Sequence, residues 1–213
     1  LFSKDEDRIG IIIGTGPSLT HWQIKQVKDF KTFGINRAYE FDVDVMLACN
    51  YQFWDYYWDD LKKYKCHKWT PRKESAEKYD INYIEEIWRP GLSTDNKFIH
   101  AHHGSGPQIL NLALHYGVKR MGLIGWDMKY AGKVNDKVYD GNRHYFGEYP
   151  KPLQHWPRTD PNGDLGGLIK EVETIKPSDY GIEIINCSPN SALKCFPYQS
   201  LSEFLNGSVL QKD

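Results

Sequence analysis

At 213 residues the chain can bury one sizeable core and carry a small lid, and 40% hydrophobic with 26% charged residues describes a globular protein. Its 27 basic and 28 acidic side chains leave a net charge of −1, which excludes a uniformly basic surface for polyanions. No stretch approaches the roughly 18 to 20 apolar residues of a membrane span, and the first residues lack the basic-then-apolar pattern of a leader, so no transmembrane segment and a cytoplasmic location are expected.

The first predicted element is a strand over 9–13 that runs into Gly14-Thr15-Gly16-Pro17-Ser18. A buried strand that stops at a glycine turn presents backbone N–H groups at the C-terminal edge of a sheet, where they suit the phosphates of a nucleotide. The turn lacks the Gly-Lys-Ser/Thr of a P-loop and the third glycine of the dinucleotide fingerprint, so a plain strand-to-helix turn is the competing reading. A helix over 20–29 follows. Strands over 32–35 and 43–48 end beside Asn36 and Asn50, whose amides would share that edge and can bond a phosphate, ribose or sugar hydroxyl, or else cap helices. A helix over 51–64 leads into a basic run, Lys62, Lys63, Lys65, Lys68, Arg72 and Lys73, interleaved with Tyr64 and Trp69. That pattern suits single-stranded or flipped nucleic acid, although a solvated helix-to-loop face is its more frequent cause.

A strand over 98–101 passes through His100, His102 and His103 to Gly104-Ser105-Gly106-Pro107, the entry of a helix over 106–116. No carboxylate or cysteine stands at a ligand spacing to the histidines, so no metal is assigned to them. Ser105 Oγ and the helix N–H groups read instead as a cradle for an anion or a sugar carboxylate, or as a plain N-cap. The strand over 120–124 ends near Asp127, a position where α/β proteins place polar site residues. Residues 129–164 are rich in Gly, Pro, Tyr, His and Trp without a period, which reads as a lid. Within them Arg143, His144, Tyr145 and Glu148 combine a cation, an imidazole and a carboxylate. This is the place to seek a general base or a leaving-group stabiliser, against the alternative of a solvated loop of paired charges. A helix over 165–175, a strand over 183–186 followed by Asn190 and Ser191, and a helix over 200–205 complete the chain.

The alternation of apolar runs and helical patterns predicts an α/β fold: a single Rossmann-like domain over 1–213, with a doubly wound, mostly parallel sheet, helices on both faces and a lid loop. Cys49, Cys66, Cys187 and Cys195 lack CxxC spacing and are expected as free thiols. An aromatic content of 14% favours an aromatic-lined cleft.

Taken in order, these motifs resemble the bacterial sialyltransferases that use CMP-sialic acid, and phage and prophage proteins related to them. The family's Gly-Asn-Gly-Pro-Ser-Leu turn appears as Gly14 to Leu19 with Thr15 in place of Asn. Its two nucleotide-contacting asparagines align with Asn36 and Asn50, its Ser-Gly turn with Ser105-Gly106, its Leu-x-Gly-x-Asp pattern with Leu123 to Asp127, and its Cys-Pro-Asn-Ser segment with Ser188-Pro189-Asn190-Ser191. The family's His-Tyr-x-Gly-His lid segment reads His144-Tyr145-Phe146-Gly147-Glu148, so the last position, a catalytic His in the family, holds Glu148.

The resemblance implies a metal-independent, inverting glycosyltransferase that needs no cofactor beyond its co-substrate, a CMP- or UDP-linked sugar. The acceptor would be a hydroxyl, on a glycan or on a hydroxymethylated base of phage DNA, and the setting a bacterium or a phage-infected host. Thr15, Gly16 and Ser18 would hold the nucleotide phosphate, Asn36 and Asn50 phosphate and sugar, Ser105 and Gly106 the donor, and Asn190 and Ser191 the ribose or base, with Asp127 on the same edge. Glu148, or His144 in its place, would be the base, and Arg143 or Tyr145 would stabilise the departing phosphate. The family's paired tyrosines have no counterpart at matching positions, and Tyr130, Tyr139 or Arg143 would replace them. Pterin pyrophosphokinases are also similar in the glycine turn and the Leu-x-Gly-x-Asp strand end. That resemblance implies a Mg2+-dependent enzyme using ATP, with Asp42-Val43-Asp44 as the candidate carboxylates. A non-catalytic nucleotide- or glycan-binding protein is the third reading, and a homo-oligomer is compatible with each.

Overall fold

A computed structural model describes residues 8–101, 104–129, 144–153 and 165–209. The strands are β1 Ile9–Ile13, β2 Lys31–Ile35, β3 Val45–Leu47, β4 His67–Thr70, β5 Asn82–Tyr83, β6 Glu85–Trp88, β7 Phe98–Ala101, β8 Arg120–Ile124 and β9 Glu183–Asn186. The α-helices are α1 His21–Gln26, α2 Tyr51–Leu61, α3 Lys73–Tyr79, α4 Ser105–His115, α5 Leu165–Val172 and α6 Leu201–Val209. Seven strands form one sheet in the order β5-β4-β3-β2-β1-β8-β9, with every neighbouring pair parallel. The chain winds outward from β1 to β5, then returns to place β8 and β9 on the other side. The strand order therefore reverses between β1 and β8, where a crevice opens at the C-terminal ends.

Central parallel strands are covered on both faces and so read as unbroken apolar runs. In β1 the residues Ile11, Ile12 and Ile13 are all buried, and alternation sends them to different cores. Ile12, Phe33, Leu47 and Leu123 pack with Ile109, Leu110 and Ala113 of α4 and Val172 of α5. Ile11, Ile13, Met46 and Ile185 pack on the other face with Phe53 and Trp54 of α2 and with Leu201 and Phe204 of α6. This is the doubly wound α/β sheet expected from the sequence, here parallel throughout. No helix of the described residues is long and apolar enough to cross a membrane, and the four cysteines are unbridged.

Some elements differ from expectation. β7 does not join the central sheet; it pairs with β6 in a separate two-stranded parallel sheet. Its burial alternates along the strand, the signature of one covered face rather than two. β4, β5, β6 and α3 carry few apolar residues and were not expected as elements. The basic run spans the end of α2, β4 and the start of α3, and it is largely paired. Lys62 meets Asp59 at 2.6 Å, Lys63 meets Asp60 at 3.2 Å and Arg72 meets Glu86 at 2.7 Å, while Lys68 donates to the Cys66 carbonyl at 3.4 Å. Of the expected lid, Lys129 and residues 144–153 are described. Arg143, Tyr130 and Tyr139 lie outside the described residues, as do His102 and His103.

Candidate functional site at the switch point

The glycine turn after β1 folds the way it does because it is stitched to the end of β8. Gly14 N–H donates to the Ile124 carbonyl at 2.8 Å and Gly16 N–H to the Gly125 carbonyl at 2.9 Å, carrying the parallel pairing past both strand ends. A Cβ on Gly14 would sit 2.4 Å from Gly125 O, and one on Gly16 would sit 2.0 Å from Asp127 Oδ2. The glycines are thus required by the close approach of two turns. Most N–H groups expected to face a phosphate are engaged internally: Ser18 N–H donates to Asp127 Oδ2 at 3.3 Å and Leu19 N–H to the Gly16 carbonyl at 3.2 Å. α1 then starts at a capping box in which Thr20 Oγ1 accepts from Gln23 N and the Gln23 side chain accepts from Thr20 N.

Beside this turn lies a cavity of about 210 Å3. Thr15 and Gly16 line it from the first turn, Asn36 from the end of β2, Ser105 and Gly106 from the start of α4, and Trp126, Asp127 and Lys129 from beyond β8; His144 and Leu168 close it. Two residues at its rim hold left-handed backbone without being glycine, Asn36 at φ 49° and Met128 at φ 48°. Such conformations cost of order 1–3 kcal/mol each and cluster at functional sites. Asp127 is 7% exposed. Burial raises its carboxyl above the usual range, against the hydrogen bonds from Ser18, whose hydroxyl donates to Oδ2 at 2.8 Å. Ser18 therefore positions Asp127 rather than facing the cavity.

The returning lid segment is anchored to the first turn. Tyr145 N–H donates to the Thr15 carbonyl at 2.7 Å, and His144 Nδ1 lies 3.2 Å from Thr15 Oγ1. Arg37 holds the segment from outside, donating to the Phe146 carbonyl at 3.2 Å with its guanidinium 4.5 Å from the Phe146 ring. Tyr149 follows, its ring 5.0 Å from His144. Its hydroxyl, pushed above its ordinary range chiefly by burial, is hydrogen-bonded by the Asn36 side chain. Asn36, Asn50 and Tyr149 line a second small cavity of about 90 Å3 adjoining the first at Asn36. Asn50 holds the N-cap position of α2 but makes no capping hydrogen bond with its side chain.

Ser105 does not cap α4; Gly104 is the N-cap and has no side chain to do so. Instead the Ser105 hydroxyl donates to Cys49 Sγ at 3.2 Å. Behind it the Cys49 thiol donates to Gln108 Oε1, and Gln108 Nε2 donates to Glu86 Oε2 at 3.1 Å. Burial pushes the Cys49 thiol up to about 12, so it stays protonated.

The structure brings together Thr15, Gly16, Asn36, Ser105, Gly106, Asp127 and His144, with Asn50 next door. It leaves other candidates elsewhere. Glu148 is exposed and lines neither cavity. Tyr145 points to the opposite side, edge-on to His21 and Phe41. Ser191 is buried, its hydroxyl donating to the Trp126 carbonyl at 2.5 Å. Asn190 is exposed at φ 56° and lines, with Ser191 and Tyr198, a separate crevice of about 710 Å3 beyond β9. Asp44 precedes β3 and engages Thr32 at 2.8 Å and Lys31 at 3.2 Å at the N-terminal edge of the sheet, opposite the cavity. Sequence reasoning missed Trp126 and Tyr149 as site residues. Trp126 stands inside the Leu-x-Gly-x-Asp pattern, directly before Asp127, and that position was its one available signal.

The chain matches no protein-family model, no curated protein and no solved structure. The resemblance to sialyltransferases therefore rests on the short motifs and their order.

Proposed function

We propose that the protein is a glycosyltransferase that takes a sugar from a nucleotide-activated donor bound at the switch point and passes it to a hydroxyl acceptor. One observation carries the reading: residues far apart in sequence, Thr15, Asn36, Ser105, Asp127 and His144, line one cavity where the strand order reverses. Ligands of open α/β sheets bind at that place. The motif order described above supports the sugar-nucleotide class within it.

In this reading the acceptor oxygen attacks the anomeric carbon as the bond to the nucleotide phosphate breaks on the opposite face. The acceptor proton passes to His144, and the electron pair leaves with the phosphate. His144 takes the role in preference to Glu148 because it lines the cavity and Glu148 does not. In the tautomer whose Nδ1–H donates to Thr15 Oγ1, 3.2 Å away, Nε2 would carry the lone pair a base needs. Asp127, its carboxyl raised by burial, is the second group suited to proton transfer there. Lys129 at the rim supplies positive charge for the departing phosphate.

The position of Asp44 weighs against pyrophosphoryl transfer, since its carboxylate faces the wrong edge to hold Mg2+ between phosphates. A thermal-shift panel of CMP- and UDP-sugars, CMP, UDP and ATP, each with Mg2+ or EDTA, tests the reading. A ligand at 100 times its Kd adds about 2.7 kcal/mol, which is expected for a cytidine or uridine compound in EDTA. Stabilisation by ATP alone, and only with Mg2+, would overturn the proposal.

A further inference from the structure

Among the described residues two buried side-chain polar atoms have no hydrogen-bond partner, Gln26 Oε1 and Trp126 Nε1. Gln26 ends α1, whereas Trp126 lines the switch-point cavity. The indole is 3% exposed and is held from both ends. A Cβ on Gly14 would lie 3.0 Å from Cδ1, and a Cβ on Gly106 would lie 3.3 Å from Cη2 and 3.5 Å from Cζ3. The five-membered ring therefore abuts the first glycine turn and the six-membered ring abuts the start of α4. Nε1 lies on one of the two ring edges that run from Cδ1 to the six-membered ring, between the points where the two glycine turns meet the indole. The backbone beneath is fixed as well, with Trp126 N–H donating to Ser188 Oγ at 2.7 Å.

Folded interiors satisfy buried N–H donors, and a locked donor left unmade in a cavity wall calls for a partner from outside the chain. The surroundings select its charge. The same gap is faced by the N-terminus of α4, an 11-residue helix without a side-chain cap, and Lys129 lines the same cavity. Both favour a negatively charged oxygen, and the one carboxyl among the described residues lining the cavity, Asp127, is pushed by burial toward its neutral form.

We propose that Trp126 is a ligand-binding residue whose indole N–H donates to a phosphate oxygen of the bound nucleotide, between the Gly14–Gly16 turn and the start of α4. This rests on the nucleotide reading of the cavity and adds the contact that fixes where the phosphate sits. Glycines at 14 and 106 then have a second purpose: they leave room for the indole between the turns, where a Cβ would crowd it.

The test uses the whole chain and its indole N–H signals, of which seven tryptophans give one each. The Trp126 signal is identified by its contacts to Gly14 and Gly106 in the unaltered protein and by its loss in Trp126→Phe. CMP and UDP are titrated in, and cytidine and uridine serve as phosphate-free probes. The expected result is a downfield movement of the Trp126 indole proton with the nucleotides, the largest among the indole signals, and none with the nucleosides. Trp126→Phe is expected to bind the nucleotides about fivefold to tenfold more weakly, the worth of one hydrogen bond. If nucleotides move signals of His144 and Asp127 but not the Trp126 indole, the proposal falls while the nucleotide reading stands. If nucleosides move it as far as nucleotides, the phosphate assignment falls. If no probe perturbs any signal, the nucleotide reading fails and this contact fails with it.

Discussion

Gly14→Ala should be among the most damaging single-methyl additions to this protein, and its cost can be worked from the approach of two turns. The added Cβ would lie 2.4 Å from Gly125 O, 2.9 Å from Gly125 C and 3.0 Å from Trp126 Cδ1. Two of these are backbone atoms that cannot rotate away, so the β1 and β8 ends must part by about 1 Å to reach ordinary contact. Overpacking of this kind costs about 1–3 kcal/mol. Parting the turns also stretches the Gly14–Ile124 and Gly16–Gly125 hydrogen bonds, now 2.8 and 2.9 Å, each worth about 1 kcal/mol net. The expected loss is about 3–5 kcal/mol, a fall in Tm of about 6–20 °C for a domain of this size. Urea unfolding followed by circular dichroism measures it, with Gly167→Ala as the control. A Cβ at Gly167 in α5 meets nothing within 4 Å, so that change is expected to be neutral or stabilising by about 0.5 kcal/mol. A Gly14→Ala protein within about 1 kcal/mol of the parent would refute the argument that close approach, rather than ligand contact, demands this glycine.

The remaining predictions concern titration and the assignment of the base. The raised Asp127 carboxyl contributes most stability below the usual carboxylate value, and that contribution is lost as pH rises through its folded value. Asp127→Asn, which keeps an oxygen for Ser18, should therefore gain on the parent between about pH 4 and pH 7; a difference that does not change with pH would contradict this. His115 is held below the ordinary imidazole value by burial, against the Phe98 carbonyl at 2.7 Å and nearby Asp95. Its stabilisation is present above about pH 6.5 and lost as pH falls through the folded value, so His115→Gln should flatten the loss of stability from pH 7 to 5 in chemical denaturation. Glu148→Ala should leave nucleotide affinity within about twofold, as for surface changes generally, and should spare transfer. His144→Ala should reduce transfer by about 10²–10⁴; in a transfer assay, the reverse pattern would return the base to Glu148.

Legibility in the sequence followed burial. β1 and β8 could be read to the residue because central parallel strands are covered on both faces and so are largely apolar; β9, at the sheet edge, was legible from its buried Ile184-Ile185 pair. β4, His-Lys-Trp-Thr, could not, because near the sheet edge its residues are only partly covered and its lysine and histidine stay in contact with water. β7 was visible as a strand but was given to the wrong sheet; its burial alternates, yet Phe98 and Ile99 are both apolar, so the residues themselves did not show that only one face is covered. In the site, the glycine turn stood out, yet its reason did not. The partners that need Gly14 and Gly16 are Gly125 and Asp127, which lie over a hundred residues away, and local pattern carries no word of them. Ser18 and Ser191 were read as ligand contacts because a hydroxyl near a strand end looks the same whether it faces a ligand or ties down a neighbouring backbone. Only the pairing Ser18–Asp127 and Ser191–Trp126 in space decides it.

The central claim is that a nucleotide occupies the cavity where the strand order reverses, and a crystal structure of the protein soaked with CMP or UDP tests it most directly. The account predicts the phosphate in the gap between Gly14–Gly16 and Ser105–Gly106, within hydrogen-bonding distance of Trp126 Nε1, with Asn36 and His144 beside the ligand. A nucleotide seated instead in the crevice beside Asn190 and Tyr198, or no ligand density at saturating concentration, would contradict it.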